Sequence, residues 1–187
     1  MPRYGYKREA VLTREEVAGM IERADKPWVK SLIAALYIYG NRIAELLEAK
    51  RKDFWMDEQG VLTVHLVIKK RKETGPVVET HHILKAASNA PFFSVLVGYL
   101  EGMTDPESEV WPIGRCYNTK YNKVWKEIHT LNPNCSTHLF RHTRLTKLGL
   151  IGADAMDLKD WSGRKTIPIE YLHLGGKKAA KFADKLD

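Results

Sequence analysis

A short segment of the chain concentrates side chains that can carry acid–base and phosphate chemistry. His138, Arg141 and His142 lie close together, and Tyr171 follows further along. An arginine fork can bond two oxygens of a phosphodiester, a histidine can move protons and a tyrosine can supply an attacking oxygen. On a helix, His138 and Arg141 emerge on one face, whereas His142 lies about 100° further round. The pattern is typical either of a site that breaks a phosphodiester without a metal or of an ordinary amphipathic helix.

The same histidines also have the spacing of two zinc ligands on a helix. His138 and His142 are four residues apart, but no glutamate follows His138 and the sequence offers no further cluster of ligands. This composition disfavours the zinc chemistry of H-E-x-x-H sites. The sequence therefore predicts no metal and no other cofactor.

Two groups of basic residues elsewhere could serve the same anion. Arg42 lies in the first turn of a predicted helix, where backbone N–H groups and the helix dipole favour negative charge. The simpler alternative for Arg42 is a surface ion pair with Glu45 or Asp53. A run of lysines lies in a charged segment that reads as a hairpin turn, and its simpler alternative is a solvated turn. These lysines are Lys69, Lys70 and Lys72.

The composition suits a basic protein with one core. The 187 residues include 30 Lys and Arg against 23 Asp and Glu, a net charge of +7 that favours an anionic partner such as nucleic acid. Cys116 and Cys135 show neither disulfide nor zinc-ribbon spacing, which fits a reducing compartment. No apolar run reaches membrane-spanning length, and the first residues do not read as a signal peptide.

Hydrophobic spacing predicts the elements that position these residues. The expected fold class is α+β, mostly α-helical with a small three-stranded antiparallel sheet. Helices are predicted over 14–24, with Thr13 as the cap, and over 28–39, where Gly40 ends the helix. A third begins after the cap Asn41, a fourth lies within 90–103 and a fifth begins at 118. The remaining three begin at a cap on Ser136 or Thr137, at Asp154, and at Thr166, and the last of them runs to 175. Strands are predicted over 61–68 and 77–83, with 53–55 as a third.

Four blocks occur along the chain in a fixed order. They are Gly40-Asn41-Arg42-Ile43-Ala44-Glu45-Leu46 followed by Asp53, then Val67-Ile68-Lys69-Lys70, then His138-Leu139-Phe140-Arg141-His142-Thr143, then Tyr171-Leu172-His173. This order resembles the catalytic domain of the tyrosine recombinases, the phage-integrase family, over roughly residues 11–175. The block around Arg141 and the tyrosine block are the specific part of the resemblance. The other two blocks are weak singly, but they support the resemblance because they occur in this order.

The resemblance implies a role for each matched residue. Arg42 and Arg141 would clamp the scissile phosphate, Lys70 would protonate the leaving 5′ hydroxyl, and His138 would assist as acid or base. Tyr171 would attack the phosphorus and form a 3′-phosphotyrosine. Because that bond conserves the energy of the broken one, the strand could be rejoined to another 5′ hydroxyl without ATP or metal.

Two assignments stay open within the resemblance. The general acid is one of Lys69, Lys70 and Lys72. The family usually carries a histidine or tryptophan before the tyrosine, whereas Arg164 stands in that block here, at a shorter interval from Tyr171. Arg164 can donate hydrogen bonds to a phosphate but cannot act as a base, and Trp161, three residues upstream, is the alternative.

The expected organisation is a single catalytic domain over 1–187. Residues 1–12 form a basic lead-in, 177–187 form a tail or a C-terminal helix, and the separate N-terminal core-binding domain common in the family is absent. A protein of this kind would contact DNA chiefly through phosphates, with strong salt dependence, and base contacts could come from the lysine turn. Further candidates for base contacts are Lys120, Lys123 and Arg144.

The expected function is that of a site-specific DNA recombinase or integrase. The alternatives are a catalytically impaired DNA-binding module on the same fold and a relaxase similar to type IB topoisomerases. The expected partner is double-stranded DNA, with self-association as a tetramer on DNA. Neither a membrane nor a small-molecule substrate is expected, and the expected location is cytoplasmic, in association with the nucleoid.

Overall fold

The described chain contains seven α-helices and one small three-stranded sheet, which confirms the predicted fold class. The computed structural model describes residues 11–70 and 78–163, except the side chains of 68–70 and 78–80. The helices are α1 (Arg14–Arg23), α2 (Pro27–Tyr39), α3 (Ile43–Leu47), α4 (Phe93–Glu101), α5 (Tyr117–Leu131), α6 (Thr137–Ile151) and α7 (Ala155–Ser162). The strands are β1 (Phe54–Met56), β2 (Leu62–Lys70) and β3 (Val78–Ala86), and a short 3-10 helix, Arg51–Asp53, precedes β1.

Helix α2 forms the centre of the fold. It packs against α1, α4 and α6, and it also touches β3. Almost all of its residues after Trp28 are buried, so the helix is apolar on every side, as expected for a core helix. The buried hydroxyl of Ser31 accepts a hydrogen bond of 3.0 Å from the indole of buried Trp111. Each fully buried apolar side chain of α2, such as a leucine or an isoleucine, contributes about 1.5–3 kcal/mol to stability.

The predicted helix ends at Thr13 and Gly40 are confirmed. The Thr13 hydroxyl accepts from the Glu16 backbone N–H, and the Glu16 carboxylate accepts from the Thr13 backbone N–H, which forms a capping box. Gly40 ends α2 at φ +65°, a left-handed conformation that glycine adopts without strain. A β-carbon there would lie 2.6 Å from Cβ of Arg144. Glycine is therefore required by both backbone and packing.

Two predictions about α3 were wrong in detail. The helix begins at Ile43, so that Arg42 is its N-cap and does not lie within the first turn. Asn41 does not cap the helix; its side-chain amide instead donates to the Glu45 carboxylate at 3.1 Å. The chain turns sharply after Gly40, and this turn moves the start of the helix one residue further along.

The sheet has the strand order β1-β2-β3, and both pairs are antiparallel. Leu66 on β2 lies opposite His82 on β3, and Lys70 lies opposite Val78. Lys69 and Lys70 are therefore the last residues of β2, and the prediction that they lie in the turn was wrong. The ladder extends further than the apolar alternation that marked the strand, because backbone pairing does not require apolar side chains. Lys72 lies outside the described residues.

Helix α5 buries Lys120 together with the apolar Val124 and Ile128. Trp125, directly after Val124, is exposed. The Lys120 ammonium forms an ion pair of 2.6 Å with Glu109 and donates to the Leu47 carbonyl at 3.3 Å. These partners satisfy the buried charge, as burial of an ammonium requires. The prediction that Lys120 is free to contact bases was therefore wrong.

Helices α6 and α7 are the last two helices that the structure describes. Ser136 caps α6, since its hydroxyl accepts from the Leu139 backbone N–H. The helix continues through Gly149 and ends at Gly152, which has φ +106°. Asp154 caps α7 in a capping box, and Gly163 ends it. The helix predicted from Thr166, with Tyr171, and the segment 177–187 lie outside the described residues.

Candidate functional site

Three residues predicted to act together converge in the structure. His138 and Arg141 share α6, and Arg42 lies at the start of α3. The Arg141 Nη1 donates to the Gly40 carbonyl at 3.1 Å, which joins α6 to the turn that carries Arg42. The positive charges of Arg141 and Arg42 both act on the pKa of His138. Two guanidinium groups and one imidazole therefore form a basic cluster built from two helices that are distant in sequence.

Arg141 is the buried member of the cluster. It is 6% exposed, and its Nη2 donates to the Ser162 carbonyl at 2.6 Å in addition to the bond with Gly40. A buried guanidinium is tolerated only when polar partners replace its water, and these carbonyls are such partners. The two bonds fix the plane of the guanidinium, so that its direction does not depend on a bound ligand.

Arg42 is held by Glu45 and stays partly exposed. Its Nη1 lies 2.8 Å from Oε1 of Glu45, and its side chain is 38% exposed against 5% for Glu45. The other carboxylate oxygen of Glu45 accepts from the Arg42 backbone N–H at 3.1 Å and from Asn41. The surface pairing with Glu45 considered from the sequence therefore exists. It orients Arg42 and leaves part of the guanidinium open to an external anion.

His138 is an exposed residue of α6 on which the charges of Arg141 and Arg42 both act. Desolvation lowers the pKa of His138 below its ordinary value, and the positive charges of Arg141 and Arg42 lower it further. All three causes disfavour the imidazolium form. The ring is therefore neutral near pH 7, a state in which one nitrogen can accept a proton and the other can donate a hydrogen bond.

The other predicted site residues are described only in part or not at all. The backbone of Lys70 ends β2, and its side chain is not among those described. Arg164 and Tyr171 lie outside the described residues. Their roles stay predictions. The described chain ends at Gly163, directly beside the Ser162 carbonyl that Arg141 binds.

Trp161 has a packing role in the structure. Its indole N–H donates to the Tyr39 carbonyl at 2.8 Å, and the Arg144 guanidinium lies 4.9 Å from the centre of its ring. Because the indole has a single N–H, this bond occupies the donor that a phosphate would use. Desolvation lowers the pKa of Arg144, which is half-buried between Trp161 and the turn at the end of α2.

His82 also belongs to the surroundings of the site, although the sequence did not predict it there. His82 is 7% exposed on β3, and its Nε2 lies 3.0 Å from the Asp160 carbonyl in α7. Desolvation lowers the pKa of His82, and the positive charges of Arg141 and Arg42 lower it further. The negative charge of Glu45 and the hydrogen bond to Asp160 raise it in part. His82 therefore lies beside the basic cluster. A histidine at an inward position of an alternating strand was the signal available in the sequence, because such positions are normally apolar.

Within the part of the chain that the structure describes, no group of three or more His, Cys, Asp or Glu side chains could hold a metal ion. No helix among residues 11–70 and 78–163 is long and apolar enough to cross a membrane.

The fold is that of the tyrosine recombinase catalytic domain. The XerA recombinase structure matches all of this chain with a TM-score of 0.65 at 15% identity, over 67% of its own length. XerH bound to its difH substrate matches 91% of the chain with a TM-score of 0.60 at 20% identity, and this chain spans about half of XerH, 52%. The catalytic domain of bacteriophage HP1 integrase matches 95% of the chain over 96% of its own length, with a TM-score of 0.55 at 14% identity. No protein-family profile and no curated protein sequence matches the chain.

Proposed function

We propose that this chain is the catalytic domain of a site-specific tyrosine recombinase or integrase. The observation that carries the proposal is the basic cluster: Arg141 binds the turn that leads to Arg42, distant in sequence, and the charges of both arginines lower the pKa of His138. This is the arrangement needed to neutralise a phosphodiester and move a proton beside it. The fold alone would not carry the proposal, because one fold hosts several functions.

The proposed reaction is an exchange of phosphodiester bonds. The Tyr171 oxygen attacks the phosphorus while the bond to the 5′ oxygen breaks, and a 3′-phosphotyrosine forms. His138 accepts the phenol proton, and Lys70 supplies a proton to the leaving 5′ oxygen. The two arginines stabilise the charge that builds on the non-bridging oxygens, and one such donor is typically worth about 10²–10³ in rate. Attack by another 5′ hydroxyl reverses these steps and rejoins the strand.

Double-stranded DNA is the proposed partner. The solved neighbours include XerH bound to difH substrate and the Tn1549 transposon integrase bound to circular intermediate DNA. The net charge of +7 and the partly exposed Arg42 fit a phosphate backbone. Assembly as a tetramer on DNA is part of the proposal, as is the absence of a small-molecule substrate.

The test is a duplex carrying a nick close to the cleavage position, so that cleavage releases a short fragment that bears the new 5′ hydroxyl, and the covalent adduct accumulates. Wild-type protein should form an adduct that resists denaturant, and mass spectrometry should place the bond on Tyr171. Tyr171→Phe should form none while its DNA affinity stays within about twofold, because only the attacking oxygen is removed. Tyr117→Phe, at an exposed tyrosine of α5, is the matched control and should behave as wild type.

An adduct that persists in Tyr171→Phe would overturn the proposal. Wild-type protein that binds DNA without forming an adduct would instead support the impaired DNA-binding module, for which Arg164 in place of an imidazole is the sequence feature. Relaxation of supercoiled DNA without exchange of partners would support the relaxase. Each result identifies one of the three functions.

A further inference from the structure

The last turn of α7 is held by hydrogen bonds from three other elements. The bonds join Asp160 to His82 on β3 at 3.0 Å, Trp161 to Tyr39 on α2 at 2.8 Å, and Ser162 to Arg141 on α6 at 2.6 Å. We call this set the α7 end clamp. Two of its bonds end on carbonyls of the last turn of α7, those of Asp160 and Ser162, and the Asp160 carbonyl also accepts from the Gly163 backbone N–H at 3.2 Å. Three consecutive residues are thereby tied to three separate parts of the fold.

The α7 end clamp lies at the start of the segment that carries the proposed nucleophile. Gly163 ends α7 in a left-handed conformation, φ +58°, and Arg164 is the next residue in the chain. Tyr171 follows shortly after. Whatever path this segment takes, its origin relative to Arg141 is set by the clamp. A displacement of about 1 Å at a reacting group can cost about 10²-fold in rate.

Within the clamp, His82 is the residue that packing alone does not explain. It faces inward on β3 near buried Leu66 and Leu84, where an aliphatic side chain would pack without a polar cost. Its Nδ1 is buried and has no hydrogen-bond partner among the described residues. A buried acceptor without a partner is unfavourable, so the position carries a cost that a leucine would avoid. The bond from Nε2 to Asp160 is the contact that an aliphatic side chain could not make.

The surroundings of His82 favour one protonation state. Because a carbonyl can only accept, Nε2 must carry the hydrogen that reaches Asp160. Burial lowers the pKa of His82, and the charges of Arg141 and Arg42 lower it further. Glu45 and the Asp160 carbonyl act in the opposite direction and raise this pKa. The ring is therefore a neutral imidazole with Nε2 as donor and Nδ1 as acceptor.

We propose that His82 is a positioning residue, whose neutral imidazole holds the end of α7 against β3 and so sets the origin of the segment that carries Arg164 and Tyr171. This inference rests on the proposed function for its catalytic consequence. The hold itself is a property of the fold and can be measured without DNA. His82 does not touch the phosphate in this proposal; it acts through Asp160 on the residues that follow.

Three variants of the full chain separate positioning from simple packing. His82→Leu removes the donor together with the unpartnered acceptor. His82→Gln retains an amide nitrogen close to the former Nε2 position. The matched control is His81→Gln, the same change one residue earlier on β3, at an exposed histidine that contacts His65.

Two measurements are made on each variant: hydrogen exchange of the backbone amides in 155–163 without DNA, and the rate of adduct formation on the nicked duplex at saturating protein. In His82→Leu we expect exchange to rise about fivefold, the factor that corresponds to one lost hydrogen bond. The adduct rate should fall about 10- to 100-fold while DNA affinity stays within about twofold. His82→Gln should restore both quantities to within about threefold, since it keeps a donor. His81→Gln should match wild type.

The proposal is overturned if exchange over 155–163 in His82→Leu equals that of His81→Gln, or if the adduct rate falls while this exchange stays unchanged. If His82→Leu does not fold, His82→Asn replaces it, because its shorter amide cannot reach Asp160 and should give the same two changes. If wild-type protein forms no adduct, the proposed function fails, whereas the exchange comparison still decides whether His82 holds α7.

Discussion

Arg141 donates a hydrogen bond of 2.6 Å to the carbonyl of Ser162, the last residue of α7. The same guanidinium also binds the Gly40 carbonyl in the turn before Arg42. One arginine therefore joins the two chain segments that lead to the other proposed site residues. Its positive charge can bind an anion, and its two hydrogen bonds connect separate segments of the fold.

Arg141→Lys is expected to impair both of these roles. A lysine keeps the charge, but its single nitrogen cannot bridge Gly40 and Ser162 as the planar fork does. We expect the free energy of unfolding to fall by about 1–3 kcal/mol and the adduct rate to fall by at least about 10²-fold. Urea unfolding and the nicked duplex measure these two quantities. Arg14→Lys, at an exposed position of α1, is the control, and equal stability of both variants would contradict the structural role.

Glu45→Gln is expected to loosen Arg42. The carboxylate accepts from the Arg42 side chain, the Arg42 backbone and Asn41, whereas an amide offers one oxygen and brings a donor into the same buried space. The free energy of unfolding should fall by about 1–3 kcal/mol in urea titrations. Glu48→Gln, on an exposed residue at the end of α3, should change it by less than about 0.5 kcal/mol. Equal stability of the two variants would mean that the buried carboxylate does not anchor Arg42.

Gly40→Ala tests the turn between α2 and α3. A left-handed conformation costs an L-residue about 1–2 kcal/mol, and the new β-carbon would meet Cβ of Arg144 at 2.6 Å. We expect a loss of at least about 2 kcal/mol in thermal or urea unfolding. Gly98→Ala in α4, where a β-carbon meets nothing within 4 Å, should instead be neutral or stabilising by up to about 1 kcal/mol. A small effect at Gly40 would show that α6 can move away from the turn.

The stability of the protein should fall as the pH is lowered through the range of histidine titration. The pKa values of His82 and His138 in the fold lie below their ordinary value of 6.5, so the unfolded chain binds more protons just below that pH. Stability therefore rises with pH up to about 6.5 and levels off above it. The charged groups that act on His82 are Glu45, Arg42 and Arg141.

Urea titrations between about pH 5.5 and 7.5 measure this slope. His82→Gln removes one of the two groups and should flatten this slope. A slope that is the same in His82→Gln and wild type would contradict a lowered pKa at His82. Stability that rises on acidification would contradict the sign for both histidines.

Local sequence signals determined most of the elements. Thr13 with Glu16 marked the start of α1, Gly40 marked the end of α2, and Asp154 marked the start of α7; the structure has all three. These signals succeed because a cap or a left-handed glycine involves neighbours within a few residues, which the sequence displays directly. The mixed fold followed from the change of hydrophobic period between helices and strands.

Longer-range relations were decided only by the tertiary structure. Lys120 is buried against Glu109, α5 exposes Trp125, and the ladder extends to Lys70. None of these follows from a local pattern, because each depends on which neighbouring element covers a given face. Periodicity predicts that a helix has a packed side but places the boundary of that side only approximately when aromatic and long basic residues flank it.

The site divides in the same way. Residue types and their order predicted that Arg42, His138 and Arg141 act together. The structure added Glu45 as the anchor of Arg42, the Gly40 and Ser162 carbonyls as partners of Arg141, and His82 as a neighbour. The Arg141 bond to Gly40 spans 101 residues of chain, and the His82 bond to Asp160 spans 78. The sequence determined which groups can do chemistry, whereas tertiary packing decided what holds each of them, since hydrogen bonds of this kind form only after distant segments fold together.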